Sequence, residues 1–210
     1  MFENIIKNLK NNNFNALEVE SAKDALEYIR KTIPAGAVVS NGGSVTLGEI
    51  GAIDMLRKGN YTFLDRGAEG LTRDEIEEIF RKSFFADYYL MSTNALTEDG
   101  MLYNVDGNSN RVSALLFGPK NVIIIAGKNK IVKDVDEAVK RVKTVAAPKN
   151  SSRLNCATYC NEKNVCVCAE GEMFGGCNSD DRICCNYVIS GKQRKKDRIT
   201  VVIVNEELGY

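Results

Sequence analysis

The stretch NVIIIAG, residues 121–127, decides the fold class of this chain. It is a short apolar run, rich in β-branched residues and ended by a glycine, which indicates a strand buried on both faces. Comparable runs occur at AVVS (37–40), YTFL (61–64), YYLMS (88–92) and ITVVIV (199–204). Strands of this kind are typical of parallel sheets whose two faces are covered by helices.

Helical patterns separate these predicted strands. A helix is expected after Ser21, in SAKDALEYIRKTI, and another after Thr72, which forms a capping box with Glu75. The stretch VKDVDEAVKRVKTV (132–145) keeps valines at helical spacing. The alternation of strands and helices predicts an α/β fold with a mainly parallel sheet and helices on both faces.

The composition changes near Ala146, after which the sequence is rich in cysteine and in loop-forming residues. We therefore expect one domain over residues 1–210. Within it, residues 147–197 should form a cysteine-rich loop segment, and residues 198–204 should form a returning strand of the sheet.

Charge and composition exclude several function classes. The chain has 28 basic and 28 acidic residues, so no net field favours nucleic acid or a membrane surface. It has no apolar stretch long enough to span a bilayer and no signal-peptide pattern at its start, which predicts a cytoplasmic protein without membrane insertion. Histidine is absent, which excludes imidazole bases and His-ligated zinc. The expected partner is a small molecule.

A glycine-rich turn follows the predicted strand at 37–40. Gly42, Gly43 and Ser44 stand between that strand and a helix expected to begin near Val45. Backbone N–H groups at such a turn can hold a phosphate or a carboxylate. The turn is neither a P-loop nor a dinucleotide fingerprint. The alternative is a plain turn in which Ser44 caps the helix.

A polar stretch, NALTEDGMLYNVDGNSNRV (94–112), follows the predicted strand at 88–92. Two Asp-Gly pairs bracket MLYNV, so one interpretation is a turn-rich hairpin whose polar side chains bond to their own backbone. Turn geometry does not require Glu98, Asn94, Asn104 or Arg111. Because ligands bind at the carboxyl ends of strands in open α/β sheets, the second interpretation is a polar binding site.

These stretches resemble the LUD domain, a lactate-utilisation family formerly described as a domain of unknown function. The resemblance rests on SNGGSVTLGEIG, on S-x-N-A-x-T-x-D-G…N-x-D-G-x-x-N-R followed by F-G-P-K, and on the closing VVIVNEELGY. It implies a fold similar to the glucosamine-phosphate isomerase, ribose-phosphate isomerase and CoA-transferase group. It also implies an association with the oxidation of lactate to pyruvate by iron–sulfur proteins.

The resemblance and the polar stretches together give a set of candidate site residues. Gly43 and Ser44 would offer N–H donors, Arg111 and Lys130 would clamp an anion, and the acidic residues would accept hydroxyl protons. The predicted ligand-binding residues are Gly43, Ser44, Asn94, Thr97, Gly100, Asn104, Asp106, Asn110, Arg111 and Lys130, and the predicted catalytic carboxylates are Glu98 and Asp99. Arg111 and Lys130 could instead stitch loops together as ion pairs.

All seven cysteines lie within thirty residues, at positions 156, 160, 166, 168, 177, 184 and 185. Such clustering suits zinc or an iron–sulfur cluster, both of which take four thiolates, although no C-x2-C pair is present. The alternative is free thiols, or disulfides formed on oxidation. Members of the resembled family have a P-C…G-x-C-x-D-C-x-S-x-x-R-I-C pattern, which Cys160, Cys177 and Cys184 fit. The remaining position falls on Cys166 or Cys168, and we assign it to Cys168.

Three function hypotheses follow. The first is a LUD-type protein of lactate or 2-hydroxy-acid oxidation that binds a small anionic metabolite and has iron–sulfur oxidation proteins as partners. The second is a sugar-phosphate isomerase or acyl-CoA transferase that uses Glu98 or Asp99. The third is a non-catalytic iron–sulfur electron-transfer or assembly subunit. A homo-oligomer is compatible with each hypothesis.

Overall fold

The computed structural model describes residues 1–170 and 172–210. Its strands are β1 (Asn15–Val19), β2 (Val38–Asn41), β3 (Thr62–Leu64), β4 (Tyr88–Met91), β5 (Ala95–Thr97), β6 (Leu102–Asp106), β7 (Asn121–Gly127), β8 (Ile131–Val132), β9 (Asn186–Ser190) and β10 (Ile199–Val204). Its α-helices are α1 (Glu3–Asn11), α2 (Ala22–Thr32), α3 (Val45–Glu49), α4 (Ala52–Lys58), α5 (Arg73–Lys82), α6 (Asn110–Phe117), α7 (Val135–Arg141), α8 (Ala147–Arg153) and α9 (Tyr159–Lys163).

The main sheet has six strands in the order β1-β10-β7-β4-β2-β3. Every neighbouring pair in it is parallel. Each of the five apolar runs predicted as strands forms one strand of this sheet. The α/β class and the mainly parallel sheet are therefore confirmed.

Strand β7 is buried on both faces, as its uninterrupted apolar sequence predicts. Val122 and Ile124 pack with side chains of α1 and α6 on one face. Ile123 and Ile125 pack with side chains of α2, α3 and α4 on the other. Because successive side chains of a strand point to opposite faces, the run needs apolar residues at every position.

A second, four-stranded sheet has the order β8-β5-β6-β9. Strand β6 lies inside it and pairs antiparallel with both β5 and β9. Leu102 of β6 packs into the core of the main sheet, whereas Tyr103 and Val105 pack against the helical residues Ala138 and Val142. The second sheet is thus held between the main core and the helix that begins at Val135.

That helix is longer than the sequence predicts. A π-helical segment, Val142–Ala146, joins α7 to α8, so residues 135–153 are helical throughout. Pro148 lies in the first turn of α8, where its missing N–H is tolerated because the π segment has already changed the hydrogen-bonding register. The prediction of a loop over 147–197 is therefore corrected: this segment contains α8, α9 and β9.

The turn at Thr97–Gly100 packs on the first helix. The Asn8 side chain donates to the Glu98 carbonyl at 2.9 Å, and the Asn12 side chain donates to the Asp99 and Gly100 carbonyls. Gly100 has a positive φ of 82°. A Cβ atom there would lie 2.7 Å from the Leu9 backbone nitrogen, so only glycine fits this contact.

No helix in the described part of the chain combines the length and the apolar character needed to cross a bilayer.

Gly100→Ala should destabilise the protein by more than the matched variant Gly36→Ala. Gly36 has a similar φ of 80°, but an added Cβ there meets no atom within 4 Å. The Gly36 variant should cost about 1 kcal/mol from backbone strain, and the Gly100 variant should cost roughly 1 to 3 kcal/mol more from overpacking. Urea unfolding measures both values. Equal losses would contradict the close contact with α1.

Candidate functional site

A small polar cavity, of about 80 Å³, lies where the carboxyl ends of β2 and β4 and the turn after β7 meet. We call it the anion cavity. Carboxyl ends of neighbouring parallel strands share one edge of the sheet, which is the usual ligand position in open α/β sheets. Its lining residues are Gly43, Ser44, Val45, Thr46, Ser92, Thr93, Asn94, Val105, Arg111, Lys130, Asn150, Arg153 and Tyr210.

Lys130 is the most deeply buried charged group of the anion cavity. Lys130 is only 3% exposed, and its ammonium group donates to the main-chain oxygen of Tyr210 at 2.9 Å. Burial, together with smaller effects of the positive charges of Arg141 and Arg111, lowers the pKa of Lys130 to about 7, against a weaker raising effect of Glu49. Lys130 can therefore gain or lose a proton near neutral pH.

Arg111 is held in place by several partners. Its Nε lies 3.2 Å from the Asp106 carboxylate, and both side chains are largely buried. Its terminal nitrogens donate to Asn104 Oδ1 at 2.6 Å, to Asn94 Oδ1 at 3.1 Å and to the Val105 carbonyl at 2.8 Å. The ion-pair interpretation of Arg111 is thus correct, and Arg111 lines the cavity as well. Asn104 and Asp106 lie outside the cavity lining and position Arg111.

The glycine turn lets side chains approach its backbone closely. A Cβ atom on Gly42 would lie 3.0 Å from Arg111 Cδ, and one on Gly43 would lie 3.5 Å from Arg66 Nη1. Ser44 accepts a hydrogen bond from the Leu47 N–H at 3.2 Å and caps α3. Ser44 therefore has the capping role that the plain-turn interpretation gives it, while Gly43 and Ser44 both lie on the cavity wall.

The final residues of the chain close one side of the cavity. Glu49 accepts from the Gly209 N–H at 2.6 Å, and Asn129 bonds to the Leu208 N–H and the Gly209 carbonyl, both at 3.1 Å. Together with Lys130, these side chains fix the segment that carries Tyr210. The Tyr210 hydroxyl accepts from Arg153 Nε at 2.8 Å.

Sequence reasoning missed several residues of this region. Arg153 and Asn150 lie one turn apart on α8, in the segment predicted as loop, and Tyr210 is the last residue. Arg66 was also overlooked, although it follows the carboxyl end of β3, which is the signal that could have identified it.

The structure does not bring Glu98 and Asp99 to the anion cavity. Both are exposed, on the turn that packs on α1, whereas Thr97 and Gly100 of the same turn are buried. The Thr97 hydroxyl bonds to the Asp99 carboxylate and accepts from the Met101 N–H. For residues 97–100 the turn interpretation therefore describes the structure. Asn110 lies elsewhere again, at the start of α6.

The chemistry of the cavity favours an anion. Three lining side chains carry basic groups, four carry aliphatic hydroxyls, and no Asp or Glu side chain is among the described residues that line it. Basic groups that are held in fixed positions bind carboxylates and phosphates through charge-assisted hydrogen bonds.

A second, more enclosed cavity is lined by four cysteines: Cys160, Cys166, Cys177 and Cys184. We call it the cysteine cavity. Its other walls come from β6, the helix over 135–153 and Tyr187. The seven cysteines form no disulfide, and Cys156 and Cys185 do not line the cavity.

The structure distinguishes Cys166 from Cys168. Cys166 lines the cysteine cavity and Cys168 does not, which favours Cys166 over the predicted Cys168 as the companion of the other three thiols. The Cys168 N–H points to the Cys166 sulfur at 3.4 Å. The two residues are close in sequence, and only the folded loop shows which thiol faces the other three.

Two cations hold the cysteine loop. Lys143 Nζ donates to the carbonyls of Glu172 and Gly175 at 2.6 and 2.7 Å. Arg182 donates to the carbonyls of Cys184, Cys177 and Phe174 at 2.9 to 3.1 Å. Burial, with smaller contributions from the neighbouring Cys160, Cys166 and Cys177, raises the pKa of the Cys184 thiol to about 12 against the lowering effect of Arg182. These four thiols are therefore close enough to influence one another electrostatically.

Among residues 1–170 and 172–210, no three Cys, Asp or Glu side chains are grouped as the ligands of a metal ion would be. The four cysteines fit a metal centre in the number and type of their ligands, since four thiolates suit both zinc and iron–sulfur clusters.

The chain matches the model of the LUD domain family over residues 2–204. A crystal structure of a DUF162 family protein from Deinococcus radiodurans is 16% identical, with a TM-score of 0.49, over 97% of this chain and 94% of that one. Ribose 5-phosphate isomerase A from Methanocaldococcus jannaschii is 14% identical, with a TM-score of 0.37, over 78% of this chain and 74% of that one. No curated protein sequence matches significantly.

The pKa of Lys130 predicts how anion binding depends on pH. Below about pH 7 its ammonium is charged, and above that value it is neutral. Sulfate keeps its charge over this range, so sulfate binding should weaken as pH rises through about 7. Lys130→Met should make sulfate affinity independent of pH in this range and should weaken sulfate binding below pH 7 by about tenfold. Lys130→Arg should keep sulfate binding strong both below and above pH 7. Calorimetric titration measures these affinities.

Lys128→Met is the matched control, because Lys128 is exposed on the same turn and does not line the cavity. An unchanged pH profile in Lys130→Met would show that another group binds the anion.

Proposed function

Because the chain belongs to the LUD domain family, we propose that it takes part in the oxidation of lactate or a related 2-hydroxy acid. In this proposal the anion cavity binds the acid, and a metal centre is held by four cysteines nearby. The observation that carries the proposal is the buried Lys130, which stands with Arg111 and Arg153 in a small cavity at the carboxyl edge of the sheet.

The size and lining of the cavity favour a small hydroxy acid over a larger metabolite. At about 80 Å³ it falls well below the usual range for drug-sized ligands. The basic side chains would bind the carboxylate, and Ser44, Ser92 and Thr93 offer hydroxyl partners for the ligand's own hydroxyl. Val45 and Val105 offer a small apolar surface for a methyl group.

The isomerase or transferase hypothesis is less well supported. It relies on Glu98 or Asp99 as the reactive carboxylate, and both lie on the turn that packs on α1. Lys130 is the titratable group that could act as a base in the cavity, so that hypothesis would need Lys130 in place of a carboxylate.

Binding of L-lactate against propane-1,2-diol tests the proposal directly. The diol replaces the carboxylate by a neutral hydroxymethyl group and keeps the rest of the molecule. Lactate and pyruvate should bind, the diol should not, and Arg153→Gln should weaken lactate binding by about tenfold through the loss of a charge-assisted contact. Arg194→Gln, which alters an exposed residue outside the cavity, should have no effect. Equal binding of lactate and the diol would contradict the proposal.

For the metal centre we propose an iron–sulfur cluster held by Cys160, Cys166, Cys177 and Cys184. Each iron of a four-iron cluster takes one thiolate, so the sulfurs stand around the cluster and need not meet at one ion. When bound, such a cluster supplies one-electron transfer, which suits the exchange of electrons with iron–sulfur partner proteins of lactate oxidation. Lys143 and Arg182 fix the loop that carries the ligands and place positive charge beside it.

The seven thiols without disulfide partners suit a reducing compartment, and we propose a cytoplasmic location on that ground.

The pair Cys166→Ser and Cys168→Ser tests the ligand set. In protein purified without oxygen, Cys166→Ser should lose most of its bound iron and its visible absorption, because a serine hydroxyl is a poor replacement for a thiolate. Cys168→Ser should keep the iron content of the parent protein. Iron analysis with an absorption spectrum measures both. Retention of iron in Cys166→Ser together with its loss in Cys168→Ser would show that Cys168 is the ligand. Parent protein that contains zinc and no iron would show that the metal centre is a zinc site and not an iron–sulfur cluster.

A further inference from the structure

A large open groove lies beside the anion cavity. Its volume is about 520 Å³, within the usual range for small-molecule sites. We call it the basic groove. Its walls are α5, the 3-10 turn after it and the loop that leads into α6, and its lining residues are Arg66, Arg73, Ile76, Glu77, Phe80, Arg81, Phe84, Asn108, Ser109, Asn110 and Ser113.

Arg66 stands at the junction of the groove and the anion cavity. It lines the groove, and its Nη1 lies 3.5 Å from the position that a Cβ on Gly43 would take, on the cavity wall. Its guanidinium lies over the Phe80 ring, 4.6 Å from the ring centre. It makes no hydrogen bond or ion pair to any residue that the structure describes. Burial lowers the pKa of Arg66, and the nearby charges of Arg153 and Arg111 lower it further.

A half-buried guanidinium whose N–H groups have no acceptor is costly unless a ligand supplies one. The other charges of the groove do not supply it. Glu77 is the one acidic residue among the described lining residues, and it lies 3.7 Å from Arg73 and 3.4 Å from Arg81. Three arginines against one carboxylate leave the groove with a net positive charge.

The groove also has an aromatic wall. Phe80, Phe84 and Ile76 line it, and Phe80 already carries the Arg66 guanidinium on its ring. Aromatic rings next to arginines bind molecules that combine a planar ring with an anionic group, because bases stack on such rings and phosphates pair with guanidinium groups. Asn108 and Asn110 add amide groups that can bond to ring or sugar atoms.

We propose that the basic groove is a binding site for a phosphorylated aromatic ligand of nucleotide size, separate from the anion cavity. Arg66 and Arg81 bind the phosphates, and Phe80 and Phe84 hold the ring. The site explains why the Arg66 N–H groups have no acceptor among the residues that the structure describes. It also assigns Asn110 to this second ligand, apart from the acid in the anion cavity.

Calorimetric titration with ADP, adenosine, ribose 5-phosphate and inorganic phosphate tests the proposal. ADP should bind most tightly, because it alone offers both a ring and a diphosphate. Arg66→Gln and Arg81→Gln should each weaken ADP binding by at least about tenfold, and Phe80→Leu should reduce the advantage of ADP over ribose 5-phosphate. Arg30→Gln, on α2 outside the groove, is the charge-matched control.

Competition separates this site from the anion cavity. Saturating L-lactate should leave ADP bound, and Lys130→Met should leave ADP affinity unchanged. Displacement of ADP by lactate, an ADP affinity no higher than that of inorganic phosphate, or an Arg66→Gln variant with parental affinity would each overturn the proposal. Concentration-dependent dimerisation that prevents ADP binding would also overturn the proposal, since a second copy of the chain would then fill the groove. Failure of lactate to bind would contradict the anion cavity alone.

Discussion

The burial of strand β7 on both faces is the constraint on which the rest of the structure depends. Val122 and Ile124 need apolar cover on one face, and Ile123 and Ile125 need it on the other. Helices on both sides of a parallel sheet provide that cover. The chain then leaves the sheet at Gly127, and the turn that follows brings Lys130 to the carboxyl edge, where β2 and β4 also end. The same burial that stabilises the sheet therefore places a lysine in a small cavity.

The helix over 135–153 connects the two proposed centres. Lys143 and Ala147 face the cysteine cavity, whereas Asn150 and Arg153 face the anion cavity. A hydrogen-bonded chain also runs from the Cys160 sulfur through Thr158 to Ser151 of α8, over distances of 3.4 and 2.5 Å. π-helical segments are frequent at functional sites, and the segment Val142–Ala146 lies between the residues that serve the two cavities.

Much of the fold could be predicted from the sequence, because apolar runs such as NVIIIAG leave little choice. Strand β1 could not be predicted, since its sequence NALEV has no strong β pattern. It forms a strand only because β10 lies beside it and pairs with it. Helix α8 was hidden by Pro148 and by polar residues with low helix propensity, and it forms as the continuation of α7.

The candidate site was predictable in part. The strand-end rule found Asn94 and Arg111, the glycine turn indicated Gly43, and the family resemblance indicated Lys130; all four line the cavity. The strand-end rule could not separate Asp106, which holds Arg111, from Asp99, whose turn packs on α1, because both precede a glycine. Nor could spacing decide between Cys166 and Cys168, since the choice depends on how the loop folds around Lys143 and Arg182.

A crystal structure of protein purified without oxygen, with sulfate present and with anomalous data at the iron edge, tests the central claim most directly. We expect iron between the sulfurs of Cys160, Cys166, Cys177 and Cys184, and sulfate in contact with Lys130 in the anion cavity. Iron-free density among those four sulfurs, or sulfate bound only outside the cavity, would contradict it.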